Sequence, residues 1–219
     1  MASDRATAAS GRSRGRPRLT IDRDAVADAV AELFAEGGYE AVSIPGTAEK
    51  LSVSRATLYR TVPTKEDLLG VLFERSTREI TQQIRAVIAD HEDPRDQLVE
   101  MIKLHADAAI EMRSYMPLFF GGGDLPADVV ARWHAWTRRY EKLWVGVVKS
   151  NIEAGYLNSG DSLVATRLIL GMLLWVSRWY RPAEKITAAQ IAESTIDLLG
   201  LRAGRDGARK MASRRSASR

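Results

Sequence analysis

Apolar side chains recur every three or four residues along most of the chain, which is the spacing of one face of an α-helix. No stretch alternates apolar and polar residues as a half-buried β-strand does. A first helix is predicted from Thr20 or Asp22 to Glu36, with Gly37-Gly38 as its end. Its inward face is expected to contain Val26, Val30, Leu33 and Phe34. The pattern therefore predicts an all-α fold.

The stretch from residue 43 to residue 69 predicts two short helices, a tight turn and the capped start of a third helix. Ser54 carries the hydroxyl that helix N-caps prefer, and Thr64 with Asp67 has the pattern of a capping box. The segment after Ser54 is expected to bury Ala56 and Leu58 and to expose Arg55, Thr57, Tyr59 and Arg60. This arrangement predicts a helix-turn-helix whose second helix is short enough to lie in a DNA major groove.

Five further helices are predicted from residues 64 to 90, 94 to 112, 127 to 154, 161 to 180 and 187 to 199. The first of these spans about 40 Å at a rise of 1.5 Å per residue, so it can connect two domains as a lever. Helical periodicity is lost around Gly121-Gly122-Gly123. We expect a flexible loop over a cavity there rather than a phosphate cradle, because no strand precedes the glycines and no Gly-Lys-Ser/Thr follows them.

Aromatic side chains follow one face of the helix predicted over residues 127 to 154, namely Trp133, Trp136, Tyr140 and Trp144. Such a stripe is either helix-packing core or the wall of a ligand pocket, since pockets favour aromatic walls with a few polar groups. His105 is likewise either a core histidine or a pocket group, and Arg178 is either a pocket group or a surface arginine at a dimer interface. The candidate ligand-binding residues are His105, Phe119, Phe120, Trp133, Trp136, Tyr140, Trp175, Arg178 and Trp179.

The composition, 45% hydrophobic and 27% charged over 219 residues, suits one or two domains with a substantial core. No uninterrupted apolar run reaches about 18 residues, and the arginine-rich start lacks the apolar stretch of a secretory signal. We therefore expect a cytoplasmic protein without a membrane span. The absence of cysteine excludes disulfides, thiol nucleophiles and thiolate metal sites.

The net charge of +4 is unevenly distributed. Residues 1–18 contain five arginines against Asp4, and residues 202–219 contain seven basic side chains against Asp206, so the body between them is acidic. Both ends have almost no apolar side chains to bury, and we expect them to be disordered. The N-terminal arm could follow DNA phosphates or enter a minor groove, or it could be a solubilising tail.

No enzyme signature occurs in the chain. The three histidines, at positions 91, 105 and 134, form no zinc-binding pair and do not accompany a patterned nucleophile. A phosphate-binding loop, a dinucleotide fingerprint and a paired carboxylate motif are also missing from the sequence. We expect no catalytic residues, no metal site and no cofactor.

The runs LFAEGGYEAVSI, SVSRATLYR and TKEDLL together resemble the DNA-binding domain of TetR-type transcriptional regulators over residues 19–73. Three departures accompany the resemblance. Pro45-Gly46-Thr47 replaces a charged pair and an apolar residue, Ser52 stands where the turn usually has glycine, and Thr61-Val62 replaces His-Phe. The resemblance implies a three-helix helix-turn-helix domain over residues 19–73, joined by the long helix to a ligand-binding and dimerisation domain over residues 74–201.

The same resemblance implies a homodimeric repressor that leaves a palindromic operator when a small lipophilic effector binds. Arg55, Thr57 and Arg60 would contact base edges or nearby phosphates, and phosphate contacts would come from Ser43, Ser54, Tyr59 and Lys65. The segment LLWVSRWYRP with the following TAAQ resembles the end of the ligand domain in regulators that respond to acyl-CoA. An acyl-CoA, an acylated lactone or a free lipophilic acid would each suit it. The alternative is a helical ligand- or protein-binding module that has lost DNA specificity.

Overall fold

The computed structural model describes residues 21–116 and 127–201, which form helices and connecting turns with no β-strand among them. The predicted all-α fold is confirmed. The α-helices of these residues are α1 (Arg23–Ala41), α2 (Ile44–Lys50), α3 (Arg55–Tyr59), α4 (Lys65–Asp90), α5 (Pro94–Glu111), α6 (Ala127–Glu153), α7 (Ser162–Trp179) and α8 (Ala188–Leu198). Short 3-10 turns at Met112–Ser114 and Pro182–Glu184 follow α5 and α7.

Helix α1 begins where a carboxylate can cap it and bends where two glycines occur. The Asp22 side chain accepts a hydrogen bond from the backbone N–H of Asp24. Gly37 and Gly38 leave helical geometry, Gly38 with a φ of 66°, and one more turn continues to Ala41. Regular helical geometry therefore ends at the glycine pair, as predicted, and the short turn beyond it was not predicted. The four predicted inward side chains are all buried.

Hydroxyl side chains fix the starts of the next three helices. Ser43 Oγ accepts a hydrogen bond from the Gly46 N–H at 3.1 Å, and Ser54 Oγ accepts one from the Thr57 N–H at 3.1 Å. Thr64 and Asp67 form the reciprocal bonds of a capping box. These local bonds satisfy N–H groups that the helices themselves leave unpaired, so short helices such as α2 and α3 can have defined ends.

Two of the departures from the TetR pattern have a local structural consequence. Ser52 lies in the turn between α2 and α3 with a φ of 53°, a left-handed conformation that costs a non-glycine residue roughly 1 kcal/mol. A Cβ at Gly46 would lie 3.1 Å from Ser43 Oγ and 3.4 Å from the Leu33 methyl groups. Gly46 therefore lets α2 pack tightly against α1.

Helix α4 contributes to the two larger hydrophobic cores of the described residues. Its first turns contribute Leu68, Leu69 and Leu72 to a core shared with α1, α2 and α3. Its later turns contribute Ile80 and Ile84 to a second core formed around α5, which also packs against α6, α7 and α8. With 26 residues, α4 is about 39 Å long at 1.5 Å per residue. A single rigid element thus joins the helix-turn-helix to the C-terminal core.

Helix α7 is apolar on two opposite faces. Ile169, Leu173 and Val176 are buried in the second core, whereas the other face exposes Leu168 and Trp175 to 65% and 64%. By length and composition alone, its 18 residues with a mean hydropathy of 1.2 could cross a membrane, a criterion that helices packed in a protein core also meet. The expectation of no membrane span stays a prediction. The inner face of α7 packs in a protein core. The exposed apolar side chains of its outer face are of the kind that pack against a second apolar surface.

Candidate functional site

Helix α3 rests on the protein through one apolar anchor. Leu58 is completely buried, whereas the predicted burial of Ala56 is wrong because this alanine is exposed. A helix of five residues can turn only one side to the core, and Leu58 occupies that side. Ser54 Oγ and Thr57 Oγ1 are 2.7 Å apart, so a hydroxyl pair stiffens the start of the helix.

The outer side of α3 presents cationic and hydroxyl groups to solvent. Arg55 and Arg60 are exposed, and neither forms a salt bridge with another described residue. Tyr59 is 51% exposed between them in sequence, while Thr57 is half-buried. Exposed guanidinium and phenol groups on a short helix are suited to hydrogen bonds with phosphates and base edges.

The other candidate phosphate contacts have defined surroundings. Lys65 Nζ lies 3.7 Å from the centroid of the Tyr39 ring, a cation–π contact that holds its ammonium at the start of α4. Ser43 Oγ accepts from the Gly46 N–H, which leaves the Ser43 hydroxyl proton for another partner. Both residues can therefore still donate to a phosphate from the edges of the helix-turn-helix.

Residues 19–73 contain nine acidic and five basic side chains, yet four of the five carboxylates of α1 form surface ion pairs with basic side chains of the same chain. Asp24 and Asp28 pair with Arg78 and Arg75 of α4. Lys50 lies 2.9 Å from carboxylate oxygens of both Glu32 and Glu36, whose hydrogen bonds raise its pKa. These ion pairs hold α1 against α2 and α4, and Lys50 takes part in them rather than in a proposed DNA contact.

The aromatic stripe of α6 is one part of a longer ladder of rings, which begins at Phe73 of α4. Ring centroids are 5.3 Å apart between Phe73 and Trp133, 5.2 Å between Trp133 and Trp136, and 4.8 Å between Trp136 and Tyr140. Trp144 continues the series, 6.4 Å from Tyr140. The predicted common face is confirmed, and Phe73 connects it to the helix that enters the helix-turn-helix domain.

The inner end of the ladder is polar but deeply buried. His105 Nδ1 and the Tyr140 hydroxyl are joined by a hydrogen bond of 3.0 Å. Burial lowers the pKa of His105 to about 4, so the imidazole is neutral at pH 7. Burial also raises the pKa of Tyr140, an effect that the nearby Trp144 indole N–H only partly offsets. Further out, Trp136 Nε1 donates to Thr81 Oγ1 at 2.9 Å.

The structure closes the cavity that the sequence places beside the ladder. About 10 Å³ remains among Phe73, Trp133, Trp136 and their neighbours on α4 and in the turn after α5, which is far less than a small-molecule effector requires. A larger cleft of about 320 Å³ lies between α1, α4 and the turn that follows α5, with Arg75 and Tyr115 in its wall. An effector at the ladder must therefore displace side chains that now fill the space.

Three candidate ligand residues lie elsewhere. Trp175 is 64% exposed, Trp179 is 36% exposed and Arg178 is exposed, all on the outer part of α7. Their assignment to the ladder cavity is corrected, because α7 turns Leu173 and Val176 inward instead. Phe119, Phe120 and the triple-glycine loop lie outside the described residues, as do the basic arm (1–18) and tail (202–219).

Sequence patterns missed several contacts between helices. The sequence pattern does not place Phe73 of α4 in the ladder, and it gives no signal for Thr81. Glu74 joins three helices, with its carboxylate 2.7 Å from Arg23 of α1 and 3.6 Å from Arg132 of α6. Helical spacing shows which side chains share a face, but not which face of another helix they meet.

Acidification should destabilise the fold through His105. The unfolded chain protonates this histidine near pH 6.5 and the folded chain only near pH 4, so between these values the unfolded state binds more protons. We expect the free energy of unfolding to fall by roughly 3 kcal/mol from pH 6.5 to pH 4 through this group. Urea denaturation across that range measures the slope.

The variant His105→Phe keeps a ring in place and removes the titration, so it should show a shallower pH slope. The matched control His134→Gln removes an exposed histidine and should keep the slope of the unchanged protein. Equal slopes for His105→Phe and the unchanged protein would contradict the assignment.

Comparison with known proteins places both halves of the chain. Residues 26–72 match the family model described as bacterial regulatory proteins, tetR family, and residues 91–201 match the one described as tetracyclin repressor-like, C-terminal domain. The HTH-type transcriptional repressor KstR2 of Rhodococcus jostii (strain RHA1) is 22% identical over 183 residues, which are 81% of this chain and 88% of that protein.

Solved structures agree on the fold. A TetR/AcrR regulator from Thermobifida fusca YX-ER1 superposes with a TM-score of 0.71 at 24% identity, covering 81% of this chain and 95% of that one. AibR, solved in complex with isovaleryl coenzyme A and operator DNA, gives a TM-score of 0.68 at 22% identity, covering 82% and 98%. The match to the C-terminal family model, over residues 91–201, by itself covers half of the 219-residue chain. The chain belongs to the TetR family of bacterial transcriptional regulators.

Proposed function

We propose that this protein is a homodimeric repressor that binds a palindromic operator through α3 and leaves it when a small lipophilic or acyl-type effector binds. The observation that carries the proposal is the position of Phe73. This side chain is buried on α4, contacts the aromatic ladder at Trp133, and directly follows Leu72 of the helix-turn-helix core. One helix thus takes part in both the candidate DNA site and the candidate effector site.

In the DNA-bound state, α3 lies in the major groove. Arg55, Thr57 and Arg60 contact base edges or adjacent phosphates, and Ser43, Ser54, Tyr59 and Lys65 hold phosphates that fix the register. The exposure of both arginines and their lack of described salt bridges support these roles. Action on chromosomal DNA would place the protein in the cytoplasm.

In the effector-bound state, an apolar ligand takes space beside Trp133 and Trp136. Two structurally similar proteins support an acyl-type or ring-shaped effector, since AibR was solved with isovaleryl coenzyme A and KstR2 of Mycobacterium tuberculosis is a ketosteroid transcriptional regulator. Displaced rings push on Phe73 and therefore on α4. The Glu74 carboxylate, paired with Arg23 and Arg132, would carry the same displacement to α1.

A tilt of α4 changes the separation of the two α3 helices in a dimer. Operators bound by such dimers have half-sites about one DNA turn apart or a multiple of it, so a changed separation weakens binding. The effector acts through its different affinities for the two states, and the operator weakens effector binding by the same factor. The two-fold pairing would use the uncovered apolar side chains of α7 and α8, namely Leu163, Val164, Leu168, Met172, Trp175, Trp179 and Leu198.

A fluorescence-anisotropy titration tests the proposal. Labelled DNA from the region upstream of the protein's own gene should bind far more tightly than random DNA of equal length, with affinity that falls as salt rises. Addition of isovaleryl coenzyme A should release the specific DNA, whereas coenzyme A without an acyl group should not. The test fails if specific and random DNA bind equally, and effector binding in that case would indicate the module without DNA specificity.

A further inference from the structure

Three polar side chains meet inside the C-terminal core, where most neighbours are apolar. His105, Tyr140 and Trp144 are 5%, 4% and 0% exposed. The His105 ring lies 5.4 Å from the Trp144 ring and 5.9 Å from the Tyr140 ring. Two of the three satisfy each other through the hydrogen bond between His105 Nδ1 and the Tyr140 hydroxyl.

The third polar group lacks a well-formed hydrogen bond. Trp144 Nε1 is completely buried and lies near enough to the Tyr140 hydroxyl to lower its pKa, yet it donates no hydrogen bond of normal geometry to any described residue. An unsatisfied buried donor costs roughly 1 to 3 kcal/mol, so most native structures give such groups an acceptor. The Trp136 indole shows the usual situation, since its N–H has Thr81 Oγ1 as its acceptor. Trp144 therefore offers, at the inner end of the ladder, a donor whose contact with the Tyr140 hydroxyl falls short of a normal hydrogen bond.

The lack of buried positive charge around the Trp144 N–H determines whether a charged or an uncharged group can accept a hydrogen bond from it. No lysine or arginine is buried among the residues that the structure describes, and the buried imidazole of His105 is neutral at pH 7. A carboxylate that entered this space would lose its hydration without gaining a cation, at a cost of several kcal/mol. An uncharged carbonyl oxygen would meet no such penalty.

We propose that the effector presents an uncharged carbonyl oxygen to the Trp144 indole N–H, beside the Tyr140 hydroxyl, while its apolar body replaces ring contacts along the ladder. This inference rests on the proposed function and narrows its effector class. It selects esters, thioesters, lactones and ketones and rejects free carboxylic acids. When His105 Nδ1–H donates to the Tyr140 oxygen, the single O–H of Tyr140 is left to donate to the same carbonyl oxygen.

Two chain-matched probes test the charge requirement on the unchanged protein. Methyl octanoate carries a neutral carbonyl, and octanoate carries a carboxylate on the same chain. Titrations followed by tryptophan fluorescence at neutral pH should give methyl octanoate the lower Kd, by about tenfold or more, because only octanoate must bury an unpaired charge. Equal or tighter binding of octanoate, or no binding of methyl octanoate, overturns the inference.

Single substitutions test the donor. Trp144→Phe keeps a ring and removes the N–H, and it should raise the Kd of methyl octanoate by about fivefold, the value of one hydrogen bond. Tyr140→Phe should raise it as well and serves as a second variant if Trp144→Phe folds poorly. Tyr156→Phe is the matched control for Tyr140→Phe, because it removes a hydroxyl that bonds Asp93 away from the ladder, and it should leave the preference for ester over acid unchanged.

An unchanged Kd in both folded donor variants overturns the inference even if the ester binds. The proposed function is judged separately by whether isovaleryl coenzyme A releases operator DNA. That release can succeed while the preference for a neutral carbonyl fails, so the two failures are distinguishable.

Discussion

Replacement of Arg55 by alanine should weaken operator binding by about 30-fold or more at fixed salt, since one lost contact costs roughly 1 to 3 kcal/mol and a two-fold dimer loses it twice. The reason lies in the exposure of this guanidinium on α3 and its lack of a salt bridge with described residues. Fluorescence anisotropy with the specific DNA measures the effect. The fold should be unaffected, because Leu58 rather than Arg55 anchors α3.

The control variant is Arg138→Ala, which removes an equal charge from the exposed surface of α6. It should change operator binding far less than Arg55→Ala does. If the two variants bind alike, the assignment of α3 as the recognition helix is wrong. The dependence of affinity on salt then separates two roles for Arg55. Loss of a phosphate contact weakens specific and random DNA together and lowers the salt slope, whereas loss of a base contact mainly reduces the preference for the specific sequence.

Introduction of a carboxylate on the uncovered face of α7 should abolish the dimer. Trp175→Glu places a charge on a side chain that is 64% exposed in the single chain and would be buried between two copies. An unpaired charge in an apolar interface is costly, and aromatic side chains often supply much of an interface's binding energy. Sedimentation at micromolar concentration should therefore show a monomer, and operator binding should fall because one α3 reads only one half-site.

The matched control for this variant is Lys142→Glu, which introduces the same carboxylate on the exposed side of α6. It should remain dimeric. The Trp175→Glu monomer should still fold, because the contacts of α7 within its own chain come from Ile169, Leu173 and Val176, which the substitution leaves in place. A Trp175→Glu protein that still sediments as a dimer would place the two-fold interface elsewhere.

The features that the sequence predicted well are those that depend on neighbouring residues. Capping by Ser54 and the capping box of Thr64 and Asp67 involve side chains three residues apart, so their pattern is sufficient to locate the helix starts. The shared face of the α6 aromatics follows from helical geometry in the same way. Gly37 and Gly38 leave helical geometry as their pattern predicted, whereas the short helical turn from Tyr39 to Ala41 was not predicted.

The features that the sequence could not settle depend on distant partners. Helix α7 has apolar residues on both faces, and only its packing against α5 decides that Leu173 faces inward while Trp175 faces outward. The ladder joins Phe73, Trp136 and His105 from three helices, a meeting that no spacing within one helix encodes. The closed state of the ladder cavity has the same origin, because the volume left over depends on how all these rings interlock.

The distribution of the five tryptophans gives the protein a spectroscopic property. Trp133, Trp136 and Trp144 lie in the ladder within the protein, whereas Trp175 and Trp179 lie on the outer face of α7. The two groups occupy environments of different polarity, so their emission should differ in wavelength and in access to a water-soluble quencher. Intrinsic fluorescence can therefore follow events at the ladder and at the α7 face as two separate signals, without any attached label.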